Sequence, residues 1–323
     1  MEKQIKTIGV LTSGGDAPGM NAAIRAVTRC AIYNELEVIG IRRGFEGLLE
    51  GDVIPLTSRS VGGIIHRGGT VLRTARSERF KKPEGQVEAL DRLKELDLDG
   101  LILIGGEGTF KGAWALSERG FPVAGIPGTI DNDIAGTDVT IGFDTAVNTA
   151  LDAVRKLRDT ASSHDRLFII EVMGRRCGFL AAQVALASGA EYVLLPEMPF
   201  DLDHLCKKLH YARRQGKTHS LIIVAEGVMG AQDLAAKLKD TAGYEARVTV
   251  LGHIQRGGSP TAFDATLASR MGAHAVKALL EGESGIMTGS LCGQMVTHPL
   301  PVAWEEKKPL SDEVLSLMEM LSI

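Results

Sequence analysis

The chain has 323 residues, with 36 basic and 40 acidic side chains and a formal net charge of −4. At ~150 residues per domain, this length predicts two domains. Apolar residues make up 44% and charged residues 24%, which is typical of globular proteins and argues against disorder. The chain is mildly acidic and has no basic run, which argues against nucleic acid or an anionic membrane as a partner.

Other features predict a soluble cytoplasmic enzyme. No apolar run approaches the ~18–20 residues that span a bilayer. The first residues, Met1–Lys6, are polar and lead directly into an apolar segment, unlike a secretory signal. The four cysteines are widely spaced without a C-x-x-C pair, which predicts free thiols in a reducing compartment and neither disulfides nor a zinc site.

Short apolar runs alternate with longer amphipathic segments along the chain. Eight runs are predicted to be strands: Ile5–Thr12, Val38–Ile41, Leu101–Ile104, Val123–Ile126, Leu167–Val172, Tyr192–Leu195, Leu221–Ala225 and Val248–Leu251. The intervening segments have apolar residues at three- and four-residue steps, as amphipathic helices do. The pattern predicts an α/β protein of two similar lobes, each a mostly parallel sheet covered by helices, with a boundary near residue 141 and a cleft between the lobes.

The first predicted strand is followed by the glycine-rich turn Ser13–Gly19. Gly14 and Gly19 have the spacing of a Walker A motif, but Met20 stands where the phosphate-binding lysine would be, so the turn is not a P-loop. It also lacks the G-x-G-x-x-G pattern of dinucleotide sites. Two interpretations stay open: a tight strand-to-helix turn, or a turn whose backbone N–H groups bind a phosphate.

Two more turns follow predicted strands of the same half, Gly105–Thr109 and Pro127–Asp133. Glu107 is either a solvated turn residue or a ligand of Mg²⁺, which takes one or two protein carboxylates. Asp131 and Asp133 are either part of an ordinary surface loop, or a base and a metal ligand of a phosphoryl transfer reaction.

The second half of the chain supplies positive charge. Four arginines lie next to predicted strands or their turns: Arg166, Arg175, Arg247 and Arg256. They are either ordinary solvated side chains or ligands of a phosphorylated small molecule, which the guanidinium fork suits. Glu226 follows another predicted strand and can accept hydrogen bonds from sugar hydroxyls, whereas His253 taken alone is more typical of a structural histidine.

Taken together, these segments closely resemble the bacterial ATP-dependent 6-phosphofructokinases. The motifs that carry the resemblance are G-V-L-T-S-G-G-D-A-P-G-M-N-A-A-I-R at Gly9–Arg25, R-G-G-T at Arg67–Thr70, P-G-T-I-D-N-D at Pro127–Asp133, E-V-M-G-R at Glu171–Arg175 and L-G-H-I-Q-R-G-G-S-P at Leu251–Pro260. They cover nearly the whole chain in the family's order. The resemblance implies that the γ-phosphate of ATP is transferred to the 1-hydroxyl of fructose 6-phosphate in glycolysis.

The resemblance also implies a role for each site residue. Asp131 would be the base, and the other catalytic residues would be Thr129, Arg175 and Arg76. ATP would be bound by Gly15, Arg76, Ser77, Gly106, Glu107, Gly108 and Thr109, and Mg²⁺ by Glu107 and Asp133. The sugar phosphate would be bound by Thr129, Ile130, Asp131, Met173, Gly174, Arg175, Glu226, His253, Ile254, Gln255 and Arg256. Arg166 and Arg247 would come from a neighbouring subunit, which implies a homotetramer with shared active sites.

By the same resemblance, residues 1–141 with about 256–309 would form the ATP lobe, and 142–255 with about 310–323 the sugar-phosphate lobe. An effector site between subunits is implied in part by Arg25, Arg29, Arg158 and Lys217. Ser58 and Gly63 stand where the family commonly has Arg and Asp, which predicts a weakened or altered response to ADP and phosphoenolpyruvate.

The phosphoryl donor is predicted from two glycines. Relatives that use pyrophosphate commonly have Asp at position 108 and Lys at position 128, and this chain has Gly108 and Gly128. ATP is therefore favoured, with a pyrophosphate-dependent or mixed-donor enzyme as the alternative. Three departures affect the nucleotide site: Glu107 replaces Asp, Phe45 replaces Tyr, and Ser77 replaces an aromatic residue. A catalytically silent nucleotide-sensing subunit is the hypothesis from another class, but the proposed base and arginines are all present.

Overall fold

The computed structural model describes residues 5–164 and 166–321, without the side chains of 162–164. The strands are β1 (Thr7–Thr12), β2 (Glu37–Ile41), β3 (Val53–Pro55), β4 (Gly100–Gly105), β5 (Val123–Pro127), β6 (Leu167–Val172), β7 (Tyr192–Leu194), β8 (Ser220–Ala225), β9 (Ala246–Val250), β10 (Ile286–Leu291) and β11 (Gln294–Pro299). All eight predicted strands are present, and β3, β10 and β11 were not predicted.

The helices alternate with the strands as far as β10, and a 3₁₀ helix at Gly252–Arg256 follows β9. They are α1 (Met20–Tyr33), α2 (Gly44–Glu50), α3 (Pro83–Glu95), α4 (Glu107–Ser117), α5 (Phe143–His164), α6 (Phe179–Ser188), α7 (Leu202–Arg214), α8 (Ala231–Ala242), α9 (Ala262–Leu280), α10 (Val302–Glu305) and α11 (Asp312–Leu321). In the described ranges, no helix combines the length and the apolar content needed to cross a membrane.

The chain divides into two compact units. The first comprises the residues up to Thr145 together with Arg256–Lys308, and the second comprises Ala146–Gln255 and the chain from Pro309 on. The first has a seven-stranded sheet in the order β11-β10-β5-β4-β1-β2-β3, antiparallel only at its two edge pairs. The second has a four-stranded parallel sheet in the order β7-β8-β6-β9. The predicted α/β class with two mostly parallel sheets is confirmed.

Helices cover both faces of the first sheet. Leu101 and Leu103 of β4 pack in a core cluster with Phe110 and Leu116 of α4. Successive strand side chains point to opposite faces, so Ile102, which is also fully buried, lies on the other face. The burial of each such side chain stabilises the fold by about 1.5–3 kcal/mol. This two-sided burial explains why the strands appear in the sequence as continuous apolar runs.

A buried carboxylate joins the N-termini of α5 and α9. Asp264 accepts hydrogen bonds from Gly142 N at 2.9 Å, Thr145 N at 2.8 Å and Thr145 Oγ1 at 2.5 Å. Thr261 caps α9 by accepting from Asp264 N, and its hydroxyl donates to Asp144 Oδ2 at 2.6 Å. Burial raises the pKa of the Asp264 carboxyl, and the hydrogen bonds from Thr145 and Gly142 oppose that rise. The start of α5 is therefore fixed within the first unit.

Cys30, Cys177, Cys206 and Cys292 all lie in the described ranges, and none of them forms a disulfide.

Candidate active site

The turn after β1 is closely packed. Ser13 N donates to the carbonyl of Ile104 at 3.1 Å, which ties the turn to the end of β4. Gly19 precedes α1 with φ +108°, and a Cβ at this position would lie 2.6 Å from Ile141 Cγ2. Because both the dihedral angle and the space exclude a side chain, the turn needs glycine here. The first backbone N–H groups of α1 come directly after this turn in the chain.

The second turn begins α4 and is joined to the first. Thr109 is buried, and its hydroxyl donates to the carbonyl of Ser13 at 3.0 Å. Glu107 is the first residue of α4, where the helix dipole favours a carboxylate, and it forms an ion pair with Lys111 one turn later. The predicted ATP residue Thr109 thus holds two glycine turns together.

The third turn follows β5 at the same edge of the sheet. Gly128 N donates to the carbonyl of Gly105 at 3.0 Å, which places the second and third turns side by side. The hydroxyl of Thr140 donates to the carbonyl of Thr129 at 2.6 Å, and Thr129 Oγ1 accepts from Asp131 N at 3.2 Å. Because β1, β4 and β5 are adjacent and parallel, their three turns meet as the sequence predicts.

The segment that carries Arg76 is held against the first turn. Asn21, buried on α1, makes three hydrogen bonds of 2.7–3.1 Å to the backbone of residues 67–71. Thr74 donates from its hydroxyl to the carbonyl of Gly14 at 2.7 Å. These contacts position Arg76, whose side chain is exposed, beside the glycine turns.

A stacked aromatic pair lies at one side of the same region. The rings of Phe45 and Phe80 have centroids 3.9 Å apart and an interplanar angle of 15°. Ser77, one of the predicted ATP residues, accepts a hydrogen bond from Phe80 N at 3.1 Å through its hydroxyl. Ser77 therefore orders the turn that presents Phe80, a residue not predicted from the sequence.

These elements enclose a cavity of about 660 Å³ that lies entirely within the first unit. This volume is in the range of small-molecule sites, ~300–1,000 Å³. Eleven predicted site residues line it: Gly15, Arg76, Ser77, Gly106, Glu107, Gly108, Thr109, Thr129, Asp131, Asp133 and Arg256. Ile130 is fully buried and does not line the cavity, so the structure does not bring this predicted substrate residue to it.

Arg256 packs on the first glycine turn. Its Nη1 donates to the carbonyl of Asp16 at 3.3 Å, and a Cβ on Gly15 would lie 2.6 Å from the same atom. The resemblance implied that Arg256 binds the sugar phosphate, and its guanidinium lines the same cavity as the predicted ATP residues.

In the second unit, six predicted residues follow the carboxyl ends of adjacent strands. They are Met173, Gly174 and Arg175 after β6, Glu226 after β8, and His253 and Ile254 after β9. Two of these ends are directly joined, because Gly227 N donates to the carbonyl of Gly174 at 3.1 Å. The guanidinium of Arg175 and the imidazole of His253 are exposed, as ligand-binding groups can be.

Gln255 has a structural contact that the sequence did not indicate. It is fully buried, its Nε2 donates to the carbonyl of Gly252 at 3.0 Å, and its Oε1 faces Met173 N at 3.4 Å. Its amide therefore braces the turn that presents its neighbours.

The remaining two arginines, Arg166 and Arg247, lie at the opposite end of the strands of the same sheet, where the strands begin. Arg166 directly precedes β6, and Arg247 pairs with Phe168 near the start of β9. The five residues from Phe168 to Met173 span about 16 Å along the strand. Within one chain, these arginines are therefore not brought together with Met173 and the other residues at the carboxyl ends.

Two of the predicted effector residues meet at a carboxylate that was not predicted from the sequence. Glu191 is buried, and its Oε1 lies 3.4 Å from Lys217 Nζ and 3.9 Å from Arg158 Nη1. Its Oε2 accepts from Leu221 N at 2.6 Å. Nothing in the local sequence distinguishes Glu191 from a surface carboxylate, because its partners are 26 or more residues away. The other two predicted effector residues, Arg25 and Arg29, lie one turn apart on α1 in the first unit.

Fold and site together define an α/β protein that presents glycine turns, carboxylates and arginines at the carboxyl ends of parallel strands, a composition suited to phosphoryl transfer. Residues 7–279 match the phosphofructokinase family, and the chain belongs to that family. Curated proteins of Halalkalibacterium halodurans and Listeria welshimeri, each named ATP-dependent 6-phosphofructokinase, are 54% identical over 319 residues, covering 99% of this chain and all of theirs.

Solved structures give the same fold. Phosphofructokinase from Saccharomyces cerevisiae superposes with a TM-score of 0.86 at 35% identity, covering 98% of this chain and 47% of that chain. A pyrophosphate-dependent phosphofructokinase from Marinobacter aquaeolei has a TM-score of 0.85 at 22% identity, covering 98% of this chain and 91% of that chain. At that identity, the second structure supports the fold alone.

Proposed function

We propose that the chain is an ATP-dependent 6-phosphofructokinase. It would transfer the γ-phosphate of ATP to the 1-hydroxyl of fructose 6-phosphate, giving fructose 1,6-bisphosphate and ADP. The observation that carries the proposal is the cavity of the first unit, where Asp131 lies with three further carboxylates, two arginines and three glycine turns. The relatives at 54% identity support the same activity.

In this mechanism, Asp131 accepts the proton of the attacking hydroxyl, while the arginines stabilise charge on the transferring group. Arg76 and Arg175 have this role, and Thr129 contacts the transferring phosphoryl group. The turns at Gly15 and Gly106–Thr109 bind the nucleotide through their backbone. The sugar phosphate is bound by Met173, Glu226, His253 and Arg256.

The carboxylates that line the cavity fit Mg²⁺ that arrives with the nucleotide. Mg²⁺ is usually held by one or two carboxylates together with phosphate oxygens and water. Glu107 and Asp133 supply such a pair, and among the described residues there is no larger His, Cys, Asp and Glu group that could hold a metal ion. When bound, the ion would neutralise charge on the phosphates. Glu107 would have to give up or share its ion pair with Lys111.

Two glycines support ATP as the donor over pyrophosphate. A Cβ on Gly108 would meet no protein atom within 4 Å. Glycine therefore leaves space for a phosphate of the nucleotide, which an Asp side chain would occupy. A Cβ on Gly128 would lie 3.1 Å from Ile104 Cγ2 and 3.2 Å from Met20 Cε, so a lysine would require its neighbours to shift.

We propose a homotetramer with shared active sites, and the placement of Arg166 and Arg247 supports it. Both are at the amino end of the second sheet, about 16 Å along the strands from the residues proposed to bind the sugar phosphate. Arginines of a neighbouring copy would complete the site. We also propose a cytoplasmic location and an effector site around Arg158, Lys217, Arg25 and Arg29, with a weakened or altered effector response because of Ser58 and Gly63.

The variant Asp131→Ser tests the proposed base. With ATP, Mg²⁺ and fructose 6-phosphate, we expect kcat to fall by about 10²–10⁴, the contribution of a positioned general base. The KM for fructose 6-phosphate should stay within about threefold, because the arginines that bind the phosphate are intact. Initial rates in an aldolase-coupled assay measure both constants. Near-normal turnover in the variant would remove Asp131 from the role of base.

A further inference from the structure

The two aspartates of the third turn are separated by a buried asparagine. Asp131 and Asp133 line the cavity, whereas Asn132 does not line it and is only 6% exposed. Its φ of +56° lies in the left-handed region, which few residues other than glycine adopt. The turn therefore presents its carboxylates to the cavity and buries the amide between them.

Distant residues hold this amide in place. Asn132 Oδ1 accepts from Thr140 N at 3.0 Å and from Lys308 Nζ at 2.9 Å. Lys308 Nζ also donates to the carbonyl of Asp138 at 2.8 Å. One ammonium group thus joins residue 132 to the segment 138–140, which itself holds Thr129 through the hydroxyl of Thr140.

The chemistry of these contacts explains why a cation is suited to this position. A buried amide without partners is unfavourable, so the contacts of Asn132 Oδ1 stabilise this turn. A hydrogen bond from a charged donor is stronger than one from a neutral donor. Lys308 is partly buried at this contact, whereas its neighbour Lys307 is exposed.

We propose that Lys308 is a positioning residue, which fixes the turn carrying Asp131 and Asp133 by binding Asn132 Oδ1 and the Asp138 carbonyl. The inference deepens the proposed function, because it concerns the turn that carries the proposed base. Lys308 acts through Asn132 and need not touch a substrate.

The kinetic test compares Lys308→Met, Lys308→Arg and the control Lys307→Met. A misplacement of about 1 Å in a catalytic group can reduce the rate up to ~100-fold, so we expect Lys308→Met to lower kcat by about 10- to 100-fold. KM for both substrates should stay within about threefold. Lys308→Arg should recover most of the loss, and Lys307→Met should match the wild type. A raised KM with unchanged kcat, or no change at all, overturns the proposal.

A second readout does not depend on activity. Hydrogen exchange of the backbone amides of residues 129–140 should be faster in Lys308→Met than in the wild type and in Lys307→Met. Equal exchange in all three proteins overturns the proposal. If the wild type shows no activity with ATP and fructose 6-phosphate, the proposed function fails, while the exchange comparison still decides the role of Lys308.

The variant Asn132→Gly covers the case in which Lys308→Met does not fold. Glycine adopts the left-handed conformation without strain, so this change removes the amide and keeps the backbone. Asn132→Gly should reproduce the loss of kcat seen in Lys308→Met. Adding Lys308→Met to Asn132→Gly should lower kcat by less than about threefold further, because the effects of substitutions at coupled residues are not additive. Wild-type turnover in Asn132→Gly, or two full losses that multiply in the double variant, overturns the proposal.

Discussion

A single methyl group at Gly15 would test the candidate site without disturbing the fold. A Cβ at this position would lie 2.6 Å from Arg256 Nη1 and 3.3 Å from its Cζ. Nη1 also donates to the carbonyl of Asp16 at 3.3 Å. The substitution Gly15→Ala therefore pushes the guanidinium away from the turn and weakens this hydrogen bond.

The size of the effect follows from these distances. Ordinary contacts of a Cβ begin at 3.4 Å, so Nη1 must move by about 0.8 Å, the difference between 3.4 and 2.6 Å. The displaced guanidinium is proposed to bind the sugar phosphate. A hydrogen bond from a charged donor to such a group contributes about 1.5–3 kcal/mol, and we expect about the lower value to be lost. Since about 1.4 kcal/mol is tenfold, kcat/KM for fructose 6-phosphate should fall about tenfold.

The fold should be nearly unaffected, because the displaced atoms are the end of a flexible side chain. We expect a change of less than about 1 kcal/mol in the free energy of unfolding. Initial rates at saturating ATP and Mg²⁺ give kcat/KM, and denaturant unfolding gives the stability.

The background variant Arg256→Ala provides the control. In that background, Gly15→Ala should change kcat/KM by less than about twofold, because the guanidinium is already absent. A tenfold loss in both backgrounds would refute the reasoning, since Gly15 would then act without Arg256.

Three further substitutions test other contacts. Thr109→Val removes the buried hydroxyl that donates to the Ser13 carbonyl, so it should lower the free energy of unfolding by about 1 kcal/mol in denaturant titrations. Thr109→Ser keeps the hydroxyl and should keep most of this stability, so equal stability of the two variants would contradict the assignment. Burial raises the pKa of Tyr192 to about 12, so the folded state keeps a proton that the unfolded state loses above about pH 10. In thermal unfolding between about pH 10 and 12, the stability of the wild type should therefore fall by more than that of Tyr192→Phe. The control Tyr33→Phe, which changes an exposed tyrosine, should follow the wild type. Equal pH dependence of the wild type and Tyr192→Phe would argue against the assignment. Gly108→Asp places a carboxylate in open space, so the free energy of unfolding should not change. KM for ATP should rise by about tenfold through charge repulsion, and an unaltered KM would show that no phosphate lies near residue 108.

The strands buried on both faces could be predicted because burial leaves a continuous apolar run in the sequence. The edge hairpin β10–β11 could not, since Gly289 and Ser290 interrupt its apolar residues. Its turn has φ of +48° at Cys292 and +77° at Gly293. Hairpin turns with this conformation usually have the sequence Asn-Gly or Asp-Gly. A cysteine in the first of these positions gives no such signal.

For the site, the glycine turns and their carboxylates were predictable because each directly follows a parallel strand. The contacts that fix these turns were not. Lys308 and Asn132 are 176 residues apart, and Thr109 and Ser13 are 96 residues apart. No local pattern connects such pairs, since their meeting depends on the order of strands in the sheet and on how the later segments return to it.

The choice of phosphoryl donor tests the central claim most directly. Initial rates should be measured with fructose 6-phosphate and Mg²⁺, with ATP in one series and pyrophosphate in the other. We predict turnover with ATP and none above background with pyrophosphate. Turnover with pyrophosphate would contradict the argument from Gly108 and Gly128, and inactivity with both donors would contradict the proposed function.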